Sequence, residues 1–277
     1  MKRPIADSIV FITGASAGIG AATAQRLAAV GATIILCARR IEVLESMRQL
    51  LTDPERHFCI AVDVADARAV ALAVDSTIQR YGRLDAVICN AGIGLTAPVS
   101  ELDYVQFMQV MAVNVGGFLH FVQAITPVFL RQQAGQFVVI SSVVGQHALP
   151  YNGGYAATKG ALERLCESLR IELLGTPLSV SVIRPGTVAS EFFAHRLGPD
   201  GERRSTHKKG MDPVVVAETV IRALAKEQRI LYPRMRDQLL SIIADVFPSL
   251  SDQILARTFR WQQKTGGDDM SPPAGRN

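Results

Sequence analysis

Long apolar runs are missing from this sequence. No stretch approaches the ~18 consecutive apolar residues of a membrane-spanning helix, so no transmembrane segment is expected. At the N-terminus, Asp7 and Ser8 cut short the apolar region behind Lys2 and Arg3, so the signal-peptide pattern is missing too. Charge of one sign is equally scarce. The formal net charge is only +4. The densest basic stretch, HRLGPDGERRSTHKKG at 195–210, mixes both signs with Gly and Pro. It reads as a solvated loop and argues against nucleic acid as a partner. Cysteine is sparse and scattered: Cys37, Cys59, Cys89 and Cys166 form no CxxC pair. Three fall in strand-like apolar runs and one in a helical pattern. They read as buried thiols in a reducing compartment, not as a disulfide framework or a metal site. Internal repeats and low-complexity segments are also missing. What remains is 48% hydrophobic, enough for a substantial core, and a cytoplasmic protein without a bound metal is expected.

What is present is alternation. Apolar runs at 8–14, 33–39, 57–64, 84–92, 135–142 and 178–186 read as six strands. Helical patterns at 17–32, 42–51, 67–82, 101–131 and 154–174 separate them. Near-continuous apolar strands alternating with helices predict an α/β fold whose parallel sheet is covered on both faces. After residue 191 the alternation stops, and a loop, a helix at 213–227, a short RILYP strand and a final helical region follow.

The first strand runs into TGASAGIG at 13–20. Gly14, Gly18 and Gly20 permit a tight turn and close approach of a ligand, with Ser16 and Ile19 in the same turn. The helix N-terminus behind them offers free N–H groups and a positive dipole end, which suits a pyrophosphate. The second strand ends in Ala38, Arg39 and Arg40, with no acid until Glu42. NAD-binding folds usually place an acid here for the ribose hydroxyl, and NADP sites a base for the 2′-phosphate. A guanidinium binds phosphate through paired hydrogen bonds, so NADP(H) is the expected cofactor and Arg39 its contact.

In YNGGYAATKG at 151–160, Lys159 stands one helical turn beyond Tyr155. Residues i and i+4 share a helix face. An ammonium held there would favour the phenolate and lower the tyrosine pKa from its ordinary value near 10. Tyr155 is thereby the candidate acid/base.

With these motifs in order, residues 7–191 resemble the classical short-chain dehydrogenase/reductase superfamily. TGASAGIG fits its glycine motif, NAG at 90–92 the end of its fourth strand, and Asn114 its helix asparagine. Ser142, thirteen residues before Tyr155, fits its serine. RPGTVAS at 184–190 fits the segment after its sixth strand, with Ser190 where threonine is commoner. The resemblance implies a single-domain Rossmann-type doubly wound fold that oxidises an alcohol or reduces a ketone. It implies that Tyr155 is the acid/base and that Lys159 holds the nicotinamide ribose and depresses the tyrosine pKa. Ser142 would polarise the substrate oxygen, and Asn114 would hold a relay water. Asp63 and Val64 would touch adenine; Asn90, Ala91 and Gly92 would floor the ribose and nicotinamide; Pro185, Gly186 and Val188 would orient the carboxamide. The family also implies a homodimer or homotetramer through the helices at 101–131 and 154–174. Rival readings are a sugar-nucleotide epimerase or dehydratase, whose glycine spacing usually differs, and a non-catalytic NADP-sensing protein, which typically loses part of this tetrad.

The resulting domain reading is a dinucleotide-binding and catalytic core over 1–191, a substrate-loop and helical extension over 192–263, and a disordered tail over 264–277. Ile93, Gly94, Val143, Leu149, Tyr151, Phe192 and Phe193 are expected to line the substrate pocket, which suggests an apolar alcohol or ketone. The segment 234–261 reads as two amphipathic helices broken at Pro248. Its apolar stripe is expected to pack on the body or on a second subunit. The sharper alternatives are a wall over the substrate entrance or a membrane contact, and Asp237, Asp245 and Asp252 weigh against the membrane.

Overall fold

The computed structural model describes residues 4–199 and 210–265. Most of the basic loop at 195–210 and the tail beyond residue 265 lie outside the described residues. Strands β1 (Ile9–Thr13), β2 (Thr33–Ala38), β3 (Phe58–Ala61), β4 (Ala86–Cys89), β5 (Gly135–Ile140), β6 (Leu178–Ile183) and β7 (Ile230–Leu231) form one sheet. Their spatial order is β3-β2-β1-β4-β5-β6-β7 and every neighbouring pair is parallel. The order reverses between β1 and β4, and a crevice opens beyond the carboxyl ends of strands at such a switch point.

The two-residue strand period sends alternate side chains to opposite faces, and both faces are covered. Ile9, Phe11, Ile35 and Cys37 face α3 (Ala67–Tyr81), α5 (Gly117–Gln132) and α6 (Gly153–Glu172). Val10, Ile12, Ile34 and Leu36 face α1 (Gly18–Ala29) and α7 (Pro213–Lys226). This double burial is why the strands read as unbroken apolar runs. A fully buried Phe or Leu contributes roughly 1.5–3 kcal/mol, and Phe11, Phe121, Phe129, Phe137 and Leu27 are all fully buried. Local signals set the helix starts. Asp66 caps α3 by accepting from Arg68 N and Ala69 N at 2.9 and 3.0 Å, and Asp212 caps α7 with Pro213 in its first turn. The remaining helices are α2 (Ile41–Arg48), α4 (Tyr104–Met111), α8 (Met235–Val246) and α9 (Pro248–Thr265).

Two expectations change here. The single helix expected at 101–131 is α4 and α5 joined by a π-helical turn, Ala112–Gly116. The widened turn carries Asn114, whose buried amide is drawn to the backbone of Ile93. The run Tyr104–Gln132 is also long and apolar enough to cross a membrane by length and composition. In the fold its second part, α5, lies against the sheet, with Phe118, Phe121, Ile125 and Phe129 buried.

The apolar stripe of the last two helices is not packed on the body. Ser241 is the buried residue of α8, while Leu239, Leu240, Ile242, Ile243, Val246 and Phe247 are 40–63% exposed. The reason is that α8 docks through polar groups. Asp237 rests on Gly186, and Asp245 is bound by Gln146 and approached by His147.

All four cysteines are buried thiols. Burial pushes the Cys37 and Cys89 thiols up from 9.0 to about 12. Because thiolate is the reactive species, a thiol-specific reagent at pH 8 is expected to label none of the four in the native protein and all four after denaturation. An unfolded thiol ionises near 9.0 and a folded one only near 12. The thiols' contribution to stability is therefore complete below about pH 9 and declines as pH rises toward 12.

Candidate active site

A cleft of about 500 Å³ lies beyond the carboxyl ends of the central strands. At one end it is built by the glycine turn. Gly14 and Gly18 have φ of +66° and +54°, where a side chain would be strained. A Cβ on Gly14 would also lie 2.9 Å from Asn90 Nδ2 and 3.0 Å from Ala91 Cα. Ser16 and Ile19 line the cleft beside them. No side chain caps the N-terminus of α1 at Ala17, so its first-turn N–H groups remain available to an anion. Gly20 does not reach the cleft. A Cβ there would come within 2.2 Å of Gly14 O, so its smallness lets α1 pack beneath the turn.

Thr13 and Asn90 hold this end rigid. Thr13 Oγ1 accepts from Asn90 N and Ala91 N, both at 2.9 Å. Asn90 Nδ2 donates to Thr13 O at 2.9 Å and Gly14 O at 3.2 Å. Arg39 and Arg40 are exposed and line the mouth, with Asp63 and Val64 on the wall between them and Gly92. Pro185, Gly186 and Val188 close the far side. The residues fit a dinucleotide: a strained glycine cradle, an uncapped helix start and two cations in one elongated cleft.

Ser142, Tyr155 and Lys159 converge on the middle of the cleft. Ser142 Oγ makes only long contacts, donating to Pro185 O and accepting from Val144 N, each at 3.4 Å. Tyr155 keeps part of its ring open to the cleft, but its hydroxyl lies deep enough that desolvation raises its pKa well above the usual 10.0. The expected depression by Lys159 is therefore corrected. The ammonium sits 5.8 Å from the tyrosine ring centroid and donates to Ile140 O at 2.9 Å. Burial lowers the pKa of Lys159 itself to about 8, opposed by the nearby Glu163.

Asn114 lies behind this group and does not line the main cleft. Its Oδ1 accepts from Ile93 N at 2.8 Å, and its Nδ2 donates to Ile93 O at 3.0 Å and Thr158 Oγ1 at 2.9 Å. With Lys159 it borders a small cavity of about 10 Å³, near the lower limit for one water.

Ile93, Gly94, Val143, Leu149, Phe192 and Phe193 also line the cleft, and the Phe192 ring lies 5.6 Å from that of Tyr155. Tyr151 does not line it. Its φ of +65° turns the residue away, and its ring meets Phe259 of α9 at 6.2 Å. Among the described residues, none of α8 or α9 lines the cleft, so the substrate-wall alternative for that segment gains no support from its lining.

Sequence reading missed three features. Arg196 lines the substrate end, stacked over the Phe193 ring at 4.8 Å. Thr158 positions Asn114. Beside Ser141 lies a buried ion pair. Glu163 accepts from Ser141 Oγ at 2.6 Å and from Arg184 Nε and Nη2 at 3.0 and 2.6 Å. Arg184 Nη1 also reaches Gln146 Oε1 at 2.9 Å and Tyr232 Oη at 2.8 Å. A signal existed: 155, 159 and 163 repeat at four, and Arg184 directly precedes Pro185.

The comparisons with known proteins agree with this geometry. The short chain dehydrogenase family matches residues 8–198. Dehydrogenase/reductase SDR family member 7B of Bos taurus is 30% identical over 262 residues, 91% of this chain and 78% of the relative. 17-beta-hydroxysteroid dehydrogenase type 1 of Homo sapiens is 37% identical over 205 residues, 72% of this chain and 62% of the relative. Among solved structures, an alcohol dehydrogenase from the archaeon Thermococcus sibiricus, complexed with 5-hydroxy-NADP, superposes with a TM-score of 0.72 at 30% identity, covering 81% of this chain and 94% of that one. The chain belongs to the short-chain dehydrogenase/reductase family of oxidoreductases.

Proposed function

We propose that this protein interconverts a secondary alcohol and a ketone on an apolar molecule, using NADP(H). The observation that carries the reading is that Ser142, Tyr155 and Lys159 share one wall of a cleft that joins a glycine cradle with two arginines to an apolar end. Gly14, Ser16, Gly18 and Ile19 would hold the pyrophosphate, Arg39 the 2′-phosphate, Asp63 and Val64 the adenine, and Lys159 the nicotinamide ribose. When bound, the dinucleotide supplies or accepts the hydride. Ser142 donates to the substrate oxygen as charge develops there. Tyr155 carries the proton to or from the same oxygen. The raised tyrosine pKa suits the direction of reduction, because the phenol keeps its proton until the substrate oxygen takes it.

The steroid dehydrogenase relative and the lining of Ile93, Leu149, Phe192 and Phe193 support an apolar substrate. The exposed Tyr104, Val105 and Met108 of α4 support an oligomer formed through that helix. The test is NADPH oxidation across ketones of graded chain length and ring number; turnover of none of them would sink the reading.

The cofactor choice has its own test. A hydrogen bond to a charged group contributes roughly 1.5–3 kcal/mol, or about 10- to 100-fold in affinity. Arg39→Ala is expected to weaken NADPH binding by about that factor and leave NADH binding unchanged. Equal affinity of the unmodified protein for both cofactors would overturn the NADP assignment.

A further inference from the structure

Among the cations of the cleft, Arg196 stands apart. Arg39 and Arg40 are exposed at the mouth, whereas Arg196 is half-buried. Its Nε donates to Phe193 O at 3.3 Å, and its guanidinium stacks over the Phe193 ring at 4.8 Å. Nη2 is closed off from solvent and has no acceptor among the described residues. Burial holds the arginine pKa below its usual value. A buried N–H without an acceptor is costly, and more so on a charged group. The backbone fixes the arginine in this place. Leu197 N donates to Gly94 O and Thr96 N to Leu197 O, both at 2.9 Å. Gly94 gives the side chain its room: a Cβ there would lie 2.5 Å from Arg196 Cγ and 3.2 Å from Phe192 Cε1. The guanidinium is thus set beside the phenyl pair Phe192 and Phe193, whose centroids are 5.8 Å apart, and Phe192 in turn lies 5.6 Å from Tyr155.

We propose that Arg196 reads an anionic group, a carboxylate or a phosphate, carried by the substrate at the end remote from its carbonyl. The proposal rests on the alcohol–ketone reading above and narrows its substrate class to apolar ketones with an acidic tail. A guanidinium offers paired N–H groups to two oxygens of one anion, and the anion supplies the acceptor that Nη2 lacks. The order Tyr155, Phe192, Phe193, Arg196 sets the shape of the molecule. Its carbonyl lies at Tyr155, its hydrocarbon on the two phenyl rings and its anion at the guanidinium. The dinucleotide has its own phosphate groups in the glycine turn and Arg39, while Arg196 leans on Gly94 and Phe192.

The test compares kcat/KM with NADPH for a medium-chain oxo acid, its methyl ester and the matching oxo-alkyl phosphate, in the wild type, Arg196→Lys and Arg196→Met. The wild type is expected to favour the acid or the phosphate over the ester by about 10- to 100-fold, and the better of the two identifies the anion. In Arg196→Met the ratio should fall to about one, and Arg196→Lys, which keeps the charge without the fork, should lie between. A ratio within one variant does not depend on how much of it folds. Equal use of acid, phosphate and ester by the wild type overturns the proposal, and so does a preference that survives Arg196→Met. A second measurement needs no turnover: calorimetric titration of the NADPH-loaded protein with a saturated fatty acid of the same length. Arg196→Met should bind it at least tenfold more weakly than the wild type. If no ketone is turned over, the alcohol–ketone reading fails while this titration still decides the role of Arg196; equal binding by the two proteins, or none by either, overturns it. A comparable loss of NADPH affinity in Arg196→Met would assign the arginine to the cofactor and overturn it too.

Discussion

Replacing Tyr155 with Phe is expected to lower turnover by about 10²- to 10⁴-fold, the usual share of general acid–base catalysis. The substitution keeps the ring and its 5.6 Å contact with Phe192 and removes only the hydroxyl. Cofactor affinity, read by NADPH fluorescence, should stay within about twofold, since no phosphate contact is touched. Tyr151→Phe is the control. The residue was expected in the pocket, but it faces Phe259, so its variant should keep near-wild-type turnover. Equal losses in the two variants would refute the assignment of Tyr155. The Lys159 pKa near 8 adds a pH expectation. The lysine is charged below about pH 8 and loses its charge above it. If Lys159 holds the nicotinamide ribose as proposed, its charge there is present at neutral pH and fades as pH rises through about 8.

Much of this site was legible in the sequence because backbone geometry and residue spacing encode it. The glycine turn is legible because glycine alone adopts the φ of Gly14 and Gly18 without strain and fits their close approach to Asn90 and Ser190. The strands are legible because both sheet faces are buried. What was lost needs tertiary contact. Residue spacing put Lys159 on the face of Tyr155 but could not reveal that its ammonium is taken by Ile140 O. Nor could it reveal that desolvation raises the pKa of the phenol. Tyr151 was misplaced because a single non-glycine residue at positive φ leaves no pattern in the sequence. The π-turn at Ala112–Gly116 escaped because one extra residue in a helix hardly disturbs an apolar period. The arm's stripe was read correctly as amphipathic, but amphipathicity does not say which face docks. Here the polar face meets the body.

The Glu163–Arg184 pair should dominate stability. Its side chains are 4% and 9% exposed, and Arg184 Nη2 meets Glu163 Oε2 at 2.6 Å. Removing one partner from a buried pair leaves an uncompensated charge and costs roughly 3–5 kcal/mol. Arg184→Met is therefore expected to lower the free energy of unfolding in urea by about that amount. Glu163→Gln with Arg184→Met should recover most of the loss, because the stranded charge is gone and Ser141 keeps a hydrogen-bond partner. A single Arg184→Met variant within about 1 kcal/mol of wild type would mean the pair contributes little. Glu163→Gln alone carries a second readout. Glu163 raises the pKa of Lys159 against the lowering by burial. Without the carboxylate, Lys159 should lose its proton at lower pH, and the alkaline limb of kcat/KM should move down. A purely structural role would reduce the amount of active enzyme and leave the profile in place. Movement of the limb would therefore identify Glu163 as the residue that keeps Lys159 charged at neutral pH.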